Sequence, residues 1–182
     1  MKSILLQRIS KVACVTFLAA VCAMAQQHTW AGRTLDDFEW TIHERLAVLP
    51  SHGVFDTLNF EVRGKTVTLS GQVLDERVRQ YAERAVGQVS GVENVVNRIE
   101  VLPQSRRDDS LRMNVYRAIY EKQPLDKYGA RADRPIHIVV KDGWVSLEGV
   151  VDSEADRGMV HLRALKVTPH VSDNLRVSPE AL

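Results

Sequence analysis

The chain contains two copies of one sequence pattern, and this duplication limits its possible folds more than any other feature. Segment 67–73 (VTLSGQV) matches segment 145–151 (VSLEGVV) at an offset of 78 residues. The flanking segments match at offsets of 73 to 78, so the length changes fall only between predicted elements. Matching pairs outside this segment include Leu58/Ile136, Phe60/Ile138, Val62/Val140, Glu76/Glu154 and Arg79/Arg157. Because the two copies stay aligned over several segments, the chain contains an internal repeat.

Each copy predicts the element order α-β-β-α-β. In the first copy, apolar spacing predicts a helix over 35–49, a hairpin over 58–71, a helix from Asp75 to about Val89 and a strand over 95–101. In the second copy the hairpin turns at Asp142-Gly143, the later helix opens at Ser153 and the last strand ends at Val177.

This order predicts the α+β class, with two tandem modules over residues 34–103 and 108–178. Within each module the strands separated by a helix pair through a crossover, which gives a three-stranded mixed sheet with two helices on one face. Modules of about 65–70 residues without disulfides are near the lower limit of independent stability. We therefore expect the two modules to pack against each other.

The first residues carry the three parts of a secretory signal. Residues 1–11 are basic, residues 12–23 are almost entirely apolar, and Ala23-Met24-Ala25 supplies the small residues of a cleavage site. The sequence therefore predicts a signal peptide over 1–25, with cleavage before Gln26 and a periplasmic or secreted product. A retained membrane anchor is the alternative, but the apolar run is short for a bilayer span.

Both cysteines, Cys14 and Cys22, lie within this segment, so the mature chain has no thiol or disulfide. Lipoprotein anchoring at Cys22 is disfavoured because bulky Val21 precedes it. After cleavage 21 basic and 23 acidic residues remain, a net charge of −2. That balance predicts no attraction to nucleic acid.

The sequence supplies no catalytic or metal-binding pattern. The histidines have no i,i+4 pair, and neither a phosphate-binding glycine loop nor a Gly-x-Ser-x-Gly motif occurs. His137 alternates with apolar neighbours on a predicted strand, so we expect it to face solvent. Gly71 and Gly149 occupy the same place in each copy, which indicates a bulge or close helix–strand packing. We predict no enzyme activity, no cofactor, no metal site and no small-molecule substrate.

Segments 60–73 and 91–101 together resemble the BON domain, a family named for bacterial osmotically inducible and nodulation proteins. Segment 138–151 resembles it equally, although Thr168-Pro169-His170 stands where the family usually has Gly-Val and the chain is two residues shorter. The resemblance implies the α-β-β-α-β fold, an envelope location, binding to phospholipid surfaces or support of envelope integrity during osmotic stress, and no enzymatic activity.

A longer loop follows the first helix of the second copy, and it is the predicted lipid-binding segment. Cations beside apolar and aromatic side chains suit an anionic bilayer surface. The candidate lipid-binding residues are Lys122, Leu125, Lys127, Tyr128, Arg131 and Arg134. A solvated loop with a packed tyrosine is the structural alternative.

The charge of the two halves also differs: residues 34–103 have a net charge of −4, and residues 104–182 have +1. The second half is thus the one that tolerates an anionic surface. The predicted partner is an anionic membrane surface or an envelope protein. The alternative function is a protein-interaction or chaperone-like periplasmic module that uses a sheet face or edge strand.

Overall fold

The computed structural model describes residues 28–30, 33–131 and 134–178. The predicted signal peptide over 1–25 lies outside these residues. The first described element is a short antiparallel pair, β1 (His28–Trp30) and β2 (Arg33–Leu35). Within the described ranges, no helix has the length and apolar character needed to cross a membrane.

The first module contains two helices and a three-stranded sheet. Its strand order is β3-β4-β5, where β3 and β4 pair antiparallel and β4 and β5 pair parallel. The predicted hairpin and crossover are therefore confirmed. Its elements are α1 (Asp37–Ala47), β3 (Thr57–Arg63), β4 (Thr66–Val73), α2 (Glu76–Gly87) and β5 (Asn94–Val101).

The second module repeats this topology and adds one short helix. Its strand order is β6-β7-β8, again antiparallel and then parallel. The α+β class with two tandem modules is confirmed. Its elements are α3 (Arg106–Tyr120), α4 (Asp126–Ala130), β6 (Ile136–Lys141), β7 (Trp144–Val151), α5 (Glu154–Leu165) and β8 (Val171–Val177).

Side-chain caps begin the longer helices, as the acidic and hydroxyl residues at these positions predict. The Asp36 carboxylate accepts a hydrogen bond from the Glu39 N–H at 2.7 Å. In α5, the Ser153 hydroxyl accepts one from the Asp156 N–H at 3.1 Å. These bonds satisfy amide groups that the first turn of a helix leaves without partners.

Gly71 and Gly149 mark the same close approach of two strands in both modules. Their φ angles are 127° and 112°, which side chains rarely tolerate. A Cβ atom on Gly71 would lie 2.1 Å from the Thr57 carbonyl oxygen, and one on Gly149 would lie 2.0 Å from that of Pro135. The predicted helix–strand packing is wrong as to the partner, because the close approach is to the backbone at the start of the neighbouring strand; this approach explains why glycine occurs in both copies.

The modules are joined by the docking segment, residues 51–56, which leads from α1 to β3. Val54 of this segment is only 6% exposed and belongs to the apolar core of the second module. Its carbonyl oxygen accepts a hydrogen bond of 2.7 Å from the Ile138 N–H, on the edge of β6 that faces away from β7. The expectation that the modules pack together is confirmed.

Two further side chains hold the docking segment in place. The ring of Phe55 lies 6.0 Å from that of Tyr116 on α3, edge to face. The buried Asp56 carboxylate accepts hydrogen bonds from the N–H groups of Gly53, at 2.9 Å, and Leu74, at 2.8 Å. Asp56 therefore shapes the loop that presents Val54.

We expect Gly149→Ala to lower the free energy of unfolding by about 2–3 kcal/mol, because the added methyl group meets a backbone oxygen at a strained φ. Gly158→Ala is the matched control. Gly158 lies inside α5 with nothing within 4 Å of an added Cβ, so that change should raise stability by up to about 1 kcal/mol. Urea unfolding measures both, and equal effects would contradict the close-approach explanation.

Candidate binding site

The predicted lipid-binding segment folds into the second module. Leu125 and Tyr128 are fully buried in its apolar core. The prediction that these two side chains lie exposed beside the cations is wrong, because α4 turns the segment back onto the module. The structural alternative, a loop with a packed tyrosine, describes this part better.

Most of the polar groups in this segment have partners. The Tyr128 hydroxyl donates to Asp156 Oδ2 at 2.8 Å and accepts from the Asp152 N–H at 2.7 Å. Burial raises the pKa of Tyr128 to about 12. The Lys127 ammonium lies 2.8 Å from Asp156 Oδ2 and 3.0 Å from Asp152 Oδ2, and these hydrogen bonds raise the pKa of Lys127.

The remaining three cations of the predicted set lie exposed. Arg131 forms an ion pair with Asp152 at 3.2 Å. Lys122 and Arg134 have no ion pair within the described ranges. The structure thus separates the predicted set into two core residues, two paired cations and two free ones. Lipid contact by Lys122, Lys127, Arg131 or Arg134 stays a prediction.

A second surface, which the sequence analysis did not identify, surrounds the β6–β7 turn. Trp144 begins β7 and is 59% exposed. Its ring centroid lies 4.6 Å from that of the exposed His170, just before β8. Large aromatic side chains are usually well buried, so a tryptophan that is mostly exposed at the end of a strand indicates a role other than core packing.

The N-terminus of α3 is fixed against this turn. The buried Asp108 carboxylate accepts hydrogen bonds from the N–H groups of Asp142, at 3.1 Å, and Gly143, at 3.0 Å. The Arg107 guanidinium lies 3.7 Å from the position of a Cβ on Gly143. Arg107 is therefore held near Trp144, and it is exposed.

The last turn of α5 lies at the same end of the module, since β8 starts beside β7 and follows α5 directly. It contributes the exposed Leu165 and Lys166. We name this region the Trp144 surface. Its members are Arg107, Trp144, Leu165, Lys166 and His170. The exposed Asp142 lies among them and offsets part of the positive charge.

The first module has no equivalent surface. Thr66 stands at the repeat position of Trp144. Beside it, Lys65 pairs with Glu93 and Arg63 pairs with Glu61, so the cations at this hairpin are neutralised. The signal that could have identified the Trp144 surface is this difference between the copies at one matched position.

A third feature is the inter-module cleft, which has a volume of about 810 Å³. The docking segment, α1, β3 and the edge of the second sheet form its walls. Its charged and titratable residues are His43, His52, Arg131, Arg134, His137, Glu148, Asp152 and Arg176. Its apolar walls include Leu46, Val54, Leu58 and Phe60.

His52 and His137 meet in this cleft from different modules. Their ring centroids are 5.7 Å apart, with planes inclined by 25°. The expectation that His137 faces solvent is wrong, because the first module covers that face of β6. His52 Nε2 and His137 Nδ1 are buried and have no hydrogen-bond partner among the described residues.

Burial lowers the pKa of His52 and His137, and each is also influenced by its neighbours. The charge of His137 lowers the pKa of His52 further, and Asp56 opposes this. For His137, the carbonyl groups of Gly53 and Asp56 and the carboxylates of Asp56 and Glu148 oppose the effect of burial. Both imidazoles are therefore neutral at neutral pH, and protonation of either disfavours the contact.

We expect the free energy of unfolding to fall as the pH drops below about 6.5. Folding lowers the pKa of both histidines below the ordinary 6.5, so the unfolded chain binds more protons there. Each histidine contributes a slope of up to about 1.4 kcal/mol per pH unit. His137→Gln should reduce the slope, while His170→Gln, at an exposed site, should retain it. Urea titrations between about pH 8 and pH 5 measure this, and equal slopes in all three proteins would contradict it.

Within the described ranges, no group of three or more histidine, cysteine, aspartate or glutamate side chains is placed to hold a metal ion.

Two solved structures of CdsD, a structural protein of the type III secretion system of Chlamydia trachomatis, are similar to this chain. One, of the C-terminal domain, has a TM-score of 0.30 and 11% identity over 79% of this chain and 66% of that one. The other has a TM-score of 0.30 and 13% identity, over 79% and 62%. This chain thus spans less than two thirds of their length. No curated protein matches the sequence.

The duplicated α-β-β-α-β module defines the class of protein, and the family follows from the sequence match. The model of the BON domain matches residues 46–103 and 108–179, more than half of the chain. The chain belongs to the BON domain family, as a tandem member. BON domains occur in envelope-associated proteins and are typically non-catalytic.

Proposed function

We propose that this chain is an exported, non-enzymatic envelope protein that docks on an anionic phospholipid surface through the Trp144 surface and so supports envelope integrity. The observation that carries the proposal is Trp144 itself, 59% exposed at a hairpin end and flanked by exposed cations. Tryptophan is enriched at membrane–water interfaces because its ring is apolar and its N–H is polar.

Electrostatics supports the same surface. Arg107 and Lys166 are exposed and have no ion pair within the described ranges. Each cation near an anionic membrane contributes about 1 kcal/mol at low ionic strength. Asp142 offsets part of this, so the expected docking is weak and reversible. The paired cations of the first module's hairpin make no such contribution.

Co-sedimentation with vesicles of phosphatidylcholine and phosphatidylglycerol tests the proposal. We expect retention at low ionic strength, loss of retention as salt is added, and several-fold weaker retention for Trp144→Ala. Arg107→Gln and Lys166→Gln should each weaken it about fivefold, from the loss of about 1 kcal/mol.

Two changes on the first module are matched controls. Val48→Ala removes a 79% exposed apolar side chain, and Arg98→Gln removes an exposed cation. Both should leave retention unchanged. Failure of the unmodified protein to bind anionic vesicles would overturn the lipid proposal, and equal losses from control and test changes would overturn the assignment to Trp144. Lipid-independent capture of one envelope protein by the Trp144 surface would favour the alternative, protein-interaction function.

A further inference from the structure

The inter-module cleft has the size and position of a ligand site. Its volume of about 810 Å³ lies within the usual range for small-molecule pockets. Such pockets form preferentially where two domains meet, because neither domain fills the space alone. Apolar walls from Leu46, Val54 and Phe60 face a polar rim in this cleft. A ligand with both an apolar and a polar part fits this distribution.

The carboxylates in the cleft are already satisfied by protein groups. Glu148 accepts hydrogen bonds from the Ser146 hydroxyl at 2.6 Å and from the Asn174 amide at 2.8 Å. Asp152 pairs with Lys127 at 3.0 Å and with Arg131 at 3.2 Å. The charge of Asp152 is therefore neutralised within the chain, while Glu148, bonded to neutral donors, keeps its single negative charge.

Arg134 and Arg176 have no such partner. Both line the cleft, both are exposed, and neither forms an ion pair within the described ranges. A guanidinium group presents a planar set of N–H donors that matches phosphate oxygens in a bidentate geometry. Two guanidinium groups that line one cleft leave an excess of positive charge there, which an anionic ligand can neutralise.

The backbone fixes the place of Arg134. Its φ of 38° is uncommon for a residue other than glycine, and residues before proline usually avoid this region. The neighbouring Pro135 is anchored, because its carbonyl oxygen accepts a hydrogen bond of 3.1 Å from the Val150 N–H. Non-glycine residues in such conformations are found preferentially at functional sites.

We propose that the inter-module cleft binds an organic phosphate, with Arg134 and Arg176 on the phosphate group and the apolar walls around the organic part. The phosphate belongs either to a soluble organic phosphate or to a phospholipid headgroup, which share this chemistry. The site is separate from the Trp144 surface and goes beyond the proposed function.

The cleft becomes more positive in acid. His52 and His137 line it, and each gains a charge when protonated. The groups that face them are the carboxylates of Asp56 and Glu148, the imidazole of His43, and the guanidinium groups of the cleft. A bound phosphate supplies a further counter-charge, so binding and protonation favour each other. For a phosphodiester, whose charge is constant in this range, affinity should therefore rise as the pH falls from about 7.5 to about 5.5, whereas a phosphate monoester takes up a proton near pH 6 and should show a smaller rise.

Amide chemical-shift titrations of the protein test the site with three probes: inorganic phosphate, glycerol 1-phosphate and a short-chain phosphatidylglycerol below its micelle concentration. We expect saturable shifts around the cleft with at least one organic probe. The double change Arg134→Gln/Arg176→Gln should weaken binding at least about tenfold, the usual cost of losing charge-assisted bonds. Because both residues are exposed, urea unfolding should show an unchanged midpoint.

The matched control is Arg98→Gln/Arg117→Gln, which removes two exposed arginines outside the cleft. It should leave binding unchanged. Binding of glycerol 1-phosphate supports a soluble ligand, and binding of the short-chain lipid alone supports a headgroup. No saturable binding by either organic probe, or equal losses from the two double changes, would overturn the proposal. A loss caused by Trp144→Ala would also overturn it, since that residue belongs to the other surface.

Discussion

Val54 belongs to the first module by sequence, but its side chain packs in the core of the second module. Its side chain joins the apolar core of the second module, and its carbonyl oxygen accepts a hydrogen bond from the Ile138 N–H on the outer edge of β6. An open strand edge and a small core are both weaknesses of a module of this size. The docking segment of the first module adds to this core and covers part of this edge. The inter-module cleft and the contact between His52 and His137 exist because this segment holds the modules together.

Comparison of the two copies distinguishes the positions that maintain the fold from the exposed positions at which the copies differ. Gly71 and Gly149 are retained because a backbone oxygen occupies the space of any side chain. At the hairpin ends the copies diverge: the first has paired charges around Thr66, while the second exposes Trp144 beside free cations. A core tolerates little change in volume, whereas an exposed position tolerates most substitutions. Binding specificity can therefore diverge between copies while the scaffold stays the same.

Inter-module docking also links stability to acidity. The two histidines are buried where the modules meet, and burial holds their pKa values below the ordinary range. Protonation places charge in a region with few partners, so the docked arrangement weakens in acid unless an anion compensates.

The sequence by itself determined the element order, the strand pairing and the capping residues. These depend on local periodicity and on contacts that the repeat shows twice. The sequence misplaced Leu125, Tyr128 and His137, because their burial depends on where α4 folds and on a face covered by the other module. The alternation of apolar and polar residues reveals which side of an element faces its own core. It gives no signal when the covering residues come from a distant part of the sequence. Only the tertiary structure decided that Val54 joins the second core, that Trp144 stays exposed and that a cleft lies between the modules.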